Sequence, residues 1–172
     1  MRILIYVEGD WDKLFAERIL KPLFLRKNSS DIVSIQTYRE LPKAKVNPVV
    51  KIFENKGLWT FLADHDKHKT SCKLELREEL KKIYSLPSIQ NICLVVREIE
   101  DWYSWGITNK TAERYSIQDW YEGKPLGKDF FKRPGESEID FRIKILKEFS
   151  VKSAVKCDSF RYFMQKYELN PE

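Results

Sequence analysis

Short, wholly apolar runs alternate with segments of helical periodicity over the first hundred residues. Residues 2–7 (Arg-Ile-Leu-Ile-Tyr-Val) are β-rich and apolar at successive positions, as in a central parallel strand buried on both faces. Residues 58–63 and 91–96 repeat that character, and residues 32–38 alternate like a further strand. Between the first two runs, Leu14, Phe15, Ile19 and Leu23 recur at helical spacing, with Asp10 placed to cap the helix. Residues 39–57 carry Pro42 and Pro48 and read as a loop followed by a short helix ending near Gly57. Leu74, Leu76, Leu80 and Ile83 mark an amphipathic helix over 70–84. From Ile99 onward the strand signal disappears. Residues 100–106, 111–121, 138–149 and 158–168 are predicted helices, and 123–135 a loop bounded by Gly and Pro.

Strands alternating with helices predict an α/β fold, a doubly wound and mainly parallel sheet of about four strands with right-handed crossovers. A strand order of 2-1-3-4 sets the first, third and fourth strands side by side. The expected organisation is one domain over 1–172, with a sheet core at 1–103 and a mainly helical extension at 104–172. The chain's 172 residues suffice for one core without staples. Hydrophobic residues at 42% and charged residues at 33% exclude a disordered tail or a fibre. No apolar run approaches the roughly 18–20 residues of a membrane helix, and the start is unlike a signal peptide. Cys72, Cys93 and Cys157 are too few and too scattered for a disulfide framework. A cytoplasmic protein without membrane association is expected.

Three acidic clusters follow three of the apolar runs. They are Glu8 with Asp10 and Asp12, Asp64 with Asp66, and Glu98 with Glu100 and Asp101. At the carboxyl ends of neighbouring parallel strands they would share the sheet edge where α/β proteins bind ligands. With strands spaced about 4.8 Å apart, the clusters would lie within roughly 10 Å of one another. Carboxylates so gathered repel unless a cation joins them, and hard oxygen donors suit Mg²⁺ or Mn²⁺. Asp64 and Asp66, two residues apart, point the same way on an extended chain. Glu98 and Glu100 repeat the spacing and stand as alternative ligands. Glu8, beside the permissive Gly9, sits where a general base or acid would face a metal-bound phosphate, while Asp12 supports the loop.

Glu8-Gly9-x-x-Asp12 after the first strand and Asp64-x-Asp66 after the third resemble the two signature motifs of the Toprim domain. That domain is shared by topoisomerases, bacterial-type primases, small ribonucleases and overcoming-lysogenisation-defect nucleases. Glu98-Ile99-Glu100-Asp101-Trp102-Tyr103 and the ending Cys157-Asp158-Ser159-Phe160-Arg161-Tyr162-Phe163 resemble segments of a small, stand-alone Toprim-like family. The resemblance implies a Toprim-like sheet, Glu8 for proton transfer, an aspartate pair for Mg²⁺, and a metal-dependent nuclease acting on DNA or RNA. The alternative it leaves open is a non-catalytic module of a defence system that binds nucleic acid or an ATPase partner. His65 between the two aspartates, and a Glu-Ile-Glu segment in place of a further Asp-x-Asp, depart from the signature.

The net charge of +5 is mild, but it is a total that already includes the acidic clusters. Lys124, Lys128, Lys132 and Arg133 surround Phe130 and Phe131 and form the expected nucleic-acid-binding loop, the phenylalanines serving either as stacking platforms or as anchors into the core. Arg142, Lys144, Lys147 and Lys152 offer a second basic set. His65, His68 and Cys72 lack a fourth partner for zinc and read as solvated histidines with a packed cysteine. Trp102, Trp105 and Trp120 read as core. No Gly-rich phosphate loop is present.

Overall fold

The structure, a computed structural model, describes residues 1–65, 72–96, 98–127 and 129–171. The chain forms two compact units, Met1–Glu98 and Ile99–Glu172.

The first unit is an α/β sheet of four parallel strands, β1 (Arg2–Val7), β2 (Ile32–Thr37), β3 (Gly57–His65) and β4 (Ile92–Val96), in the order β2-β1-β3-β4. This is the α/β class and strand order expected. The chain steps from β1 to β2 in one direction and from β2 past β1 to β3 in the other. Right-handed crossovers therefore put α1 (Asp10–Phe15) and α2 (Lys21–Lys27) on one face, and α3 (Lys43–Lys56) and α4 (Lys73–Tyr84) on the other. The core on the second face bears this out. Leu4 and Tyr6 of β1, Trp59, Phe61 and Ala63 of β3, and Ile92 and Leu94 of β4 pack with Val46, Val50 and Leu76 of the two helices. Residues of opposite parity, Ile3, Ile5 and Val7, are fully buried on the other side.

Gly57 is required where β3 begins. A Cβ there would stand 2.1 Å from the Arg2 carbonyl oxygen, so any side chain would push β3 off β1. Between α1 and α2 the helix widens into a π turn over Ala16–Leu20, with the Lys21 amide donating to the Ala16 carbonyl five residues back. Pro22 explains the widening, since its ring collides with a regular i−4 carbonyl and it has no amide to donate.

The second unit is helical, as expected for the C-terminal part, and begins at Ile99. It comprises α5 (Ile99–Gly106), α6 (Asn109–Arg114), α7 (Glu138–Lys147), α8 (Val151–Ala154) and α9 (Asp158–Lys166). Trp102 is fully buried, donates its indole N–H to Ser159 Oγ at 2.8 Å and meets Phe160 edge-on at 5.0 Å, which joins α5 to α9. Three boundaries correct the sequence reading. The first helix is capped by Gly9 rather than Asp10, which is its first residue. Strand β3 extends through Asp64 and His65. The helix expected over 111–121 is α6, begun earlier by the Thr108 side chain, which accepts from the Thr111 amide, and ended by Ser116 at φ 50°. Around that left-handed residue, Ile117 N–H donates to Ala112 and Ser116 N–H to Glu113, a Schellman closure with serine where glycine is usual.

No helix among the described residues is long and apolar enough to cross a membrane. None of the three cysteines forms a disulfide.

Candidate functional site

In the β1–β3 register Tyr6 faces Phe61. Carried on by two residues, this sets Glu8 level with Ala63 and one residue short of Asp64. Strand β2 also ends at this edge, with Tyr38 N–H bonded to the Val7 carbonyl. The three strand ends, together with Leu76, Glu79, Leu80 and Ile83 of α4, enclose a cavity of about 160 Å³. Glu8, Asp64, Tyr38, Arg39, Lys43 and Tyr84 line it. It lies beside the point where strand order reverses, between β1 and β3, the usual ligand position in open α/β sheets.

Glu8 is held from both sides. Its Oε1 pairs with Arg39 at 2.9 Å, and its Oε2 accepts from the Tyr38 hydroxyl at 3.5 Å, the long limit of a hydrogen bond. The Glu8 side chain is 17% exposed and that of Arg39 71%. Asp12 accepts from the Gly9 amide at 3.1 Å, the loop-supporting role expected of it. The Tyr38 ring stacks on Phe61 at 4.1 Å and meets Tyr84 edge-on at 5.2 Å, so its hydroxyl has one orientation into the carboxylates. Burial pushes that hydroxyl well above its ordinary pKa of 10.0, and Glu8, Tyr84, Asp64 and Asp12 add to the rise. One buried phenol thus registers three carboxylates from two clusters. Tyr84 is raised as well, by burial and then by Glu8, while Arg39 opposes the rise.

Sequence reading missed Tyr38, Arg39 and Lys43. The signal was present, because the end of β2 must open onto the same edge as its parallel neighbour β1. Acidic clusters mark the ends of β1, β3 and β4, and β2 is followed by none. Lys43 and Lys45 lie at the start of α3, which has no acid in its first turn and no side-chain cap. Basic residues at a helix N-terminus oppose the macrodipole, so this end and its lysines present positive charge beside the carboxylates.

Of the expected metal ligands, Asp64 is half-buried at the end of β3 and shares the cavity with Glu8. Asp66 lies outside the described residues, as does His68. Glu98 closes the first unit and Glu100 sits in the first turn of α5 in the second. The extended-chain spacing argument does not apply to that pair, because α5 begins at Ile99 and residues two apart on a helix do not face the same way. Glu100 accepts from Arg142 at 2.9 Å. Among the described residues no three of His, Cys, Asp and Glu gather closely enough to hold a metal ion. Around the cavity the described residues offer the carboxylates of Glu8 and Asp64 at the strand ends and that of Glu79 from α4.

The basic loop lies in the second unit. Lys124 and Arg133 line a shared cavity there, Lys132 pairs with Asp129 at 2.8 Å, and Lys128 is outside the described residues. Phe131 is fully buried, the core anchor, while Phe130 stays half-buried on the cavity wall. The second basic set needs correction. Arg142 is 2% exposed, bonded to Glu100 and Glu138 and stacked 3.8 Å over Phe131, so it is a core residue and no phosphate contact. Comparison with protein-family models, with curated proteins and with solved structures finds no match.

Proposed function

We propose that the chain is a metal-dependent phosphodiester hydrolase, a nuclease acting on DNA or RNA, working at the Glu8–Asp64 cavity. The observation that carries this reading is the pairing of two carboxylates from adjacent parallel strand ends with the exposed cations Arg39 and Lys43 around one cavity. Carboxylates alone would suit a cation, and cations alone an anion. Both together suit a phosphate bound through a hard divalent ion. Carboxylate oxygens suit Mg²⁺ or Mn²⁺, and Asp64, Asp66 two places on in the sequence, and Glu98 of the same unit would be the residues to hold the ion. When bound, such an ion would polarise the phosphate and stabilise charge on its oxygens.

The chain's own residues supply the rest. Glu8 takes the proton of a water whose oxygen bonds to phosphorus, or gives a proton to the leaving oxygen as its P–O bond breaks. Tyr38 orients its carboxylate from one side. Arg39, well exposed and paired with Glu8 in the resting state, turns to a phosphate oxygen when the substrate enters, and Lys43 meets the same charge. The Toprim resemblance of Glu8-Gly9-x-x-Asp12 and Asp64-x-Asp66 supports the roles of Glu8 and of the aspartate pair.

The test is cleavage of supercoiled plasmid and of single-stranded RNA with Mg²⁺ or Mn²⁺, by wild type and by Glu8→Gln. The amide is nearly isosteric but cannot carry the proton, so turnover should fall by about 10²–10⁴ with substrate binding retained. Absence of cleavage by the wild type on every substrate would instead favour a binding module that serves nucleic acid or an ATPase partner.

A further inference from the structure

The second unit contains a separate cavity of about 350 Å³ between the segment after α6 and the basic loop. Its apolar lining includes Ile117, Leu126 and Phe130, and its polar lining includes Gln118, Lys124 and Arg133. We propose that it holds an unpaired nucleobase together with its phosphate, so that the protein's polymer is bound as a single strand. The identity of the ligand rests on the nucleic-acid reading above, while the site itself is distinct from the carboxylate cavity.

The walls are fixed before any ligand arrives. Phe130 is set edge-on against buried Phe131, with ring centres 4.8 Å apart and planes at 88°, and is tilted against Phe141 at 6.0 Å. An aromatic ring clamped from behind and half-buried in front offers a flat face at low entropic cost. Lys124 is pinned at three points. Its amide donates to Tyr121, its carbonyl accepts from Ser104 Oγ at 2.5 Å, and its Nζ donates to the Asp119 carbonyl at 2.9 Å. Gly123, at φ 73°, lies so close to Trp105 that a Cβ would meet its ring at 2.4 Å. Arg133 donates to the Tyr115 carbonyl at 2.6 Å and stacks 3.9 Å over Phe141. Asp129, the acid on this wall, is already paired with Lys132.

What remains is a flat aromatic face, aliphatic neighbours, an exposed amide at Gln118 and two fixed cations. A greasy ligand would not use the cations, and a bare phosphate would not use the ring. A nucleotide unit uses both, since every base has a π face and carries a phosphate within a few bonds. The amide of Gln118 can donate and accept along a base edge. A duplex keeps its bases stacked inside and cannot enter.

The experiment is fluorescence anisotropy with short labelled single-stranded DNA and RNA and the matching duplexes, in EDTA so that no cleavage intervenes. Phe130→Ala should weaken single-strand binding roughly 5- to 150-fold, the range for loss of one stacked base, and leave duplex binding unchanged. Phe130→Trp should retain affinity. Should Phe130→Ala fail to fold by circular dichroism, Gln118→Glu decides. It places a negative charge at an exposed rim position and should weaken single-strand binding without affecting the fold. Wild-type affinity in all three variants would overturn the pocket and leave the hydrolase reading intact. Failure of the wild type to bind any oligonucleotide would also overturn the pocket, whereas the hydrolase reading is judged separately by cleavage with Mg²⁺ or Mn²⁺ in wild type and Glu8→Gln.

Discussion

At the scale of single residues, Tyr38 and Gly57 link backbone geometry to the site. Tyr38 keeps its proton in the folded protein at pH values where the unfolded chain has lost it, because burial and the nearby carboxylates hold its pKa above 10.0. Its contribution is therefore complete below pH 10 and is lost as pH rises from there. Denaturant unfolding between pH 9 and 11 should show wild-type stability falling more steeply than that of Tyr38→Phe. Parallel pH profiles would mean that the phenol is not buried beside the carboxylates. Gly57→Ala should cost about 1–3 kcal/mol, because its Cβ would strike the Arg2 backbone. An unchanged urea midpoint would contradict so close an approach of β1 and β3. Tyr38 did not stand out in the sequence, and Gly57 did so only as a helix end. A tyrosine and a glycine carry no pattern of their own, and their roles follow from which strands become neighbours.

Among the elements, the strands were the most legible and the helix ends the least. Parallel strands buried on both faces must be apolar throughout, so β1, β3 and β4 declare themselves to within a few residues, whereas crossover rules fix the hand of each connection and not the strand order. The end of α6 was misread because its Schellman closure uses Ser116 rather than glycine. The π turn was invisible because apolar spacing around Ile19 and Leu23 hardly differs between α and π windings. The join between α5 and α7 was also hidden, since Arg142 reads as one more surface cation in a basic helix. It is instead the buried partner of Glu100 and Glu138. Removing one member of a buried ion pair strands the other, so Arg142→Leu should destabilise the protein by about 3–5 kcal/mol. Arg142→Lys should not restore stability, because a lysine cannot fork between two carboxylates while stacking on Phe131. Full rescue by lysine, measured in chemical denaturation, would show that charge alone matters there.

For the whole molecule, the acidic motifs of the sequence acquire meaning from topology. Glu8 and Asp64, 56 positions apart in the numbering, line one cavity because β3 returns to the side of β1. The cations around that cavity could not be anticipated from acidic spacing, since they follow β2, whose tail carries no acidic cluster. If the cavity holds a divalent ion, Mn²⁺ at 100 times its dissociation constant should stabilise the wild type by about 2.7 kcal/mol. Asp64→Asn should lose most of that gain, and equal stabilisation of both proteins would place the ion elsewhere. The most direct measurement is the anomalous diffraction signal of Mn²⁺ in a crystal of the protein. The account predicts a peak in the cavity, within about 2.0–2.6 Å of an Asp64 oxygen and adjacent to Glu8. A crystal saturated with Mn²⁺ that shows no peak there, or shows one only away from β1 and β3, would contradict it.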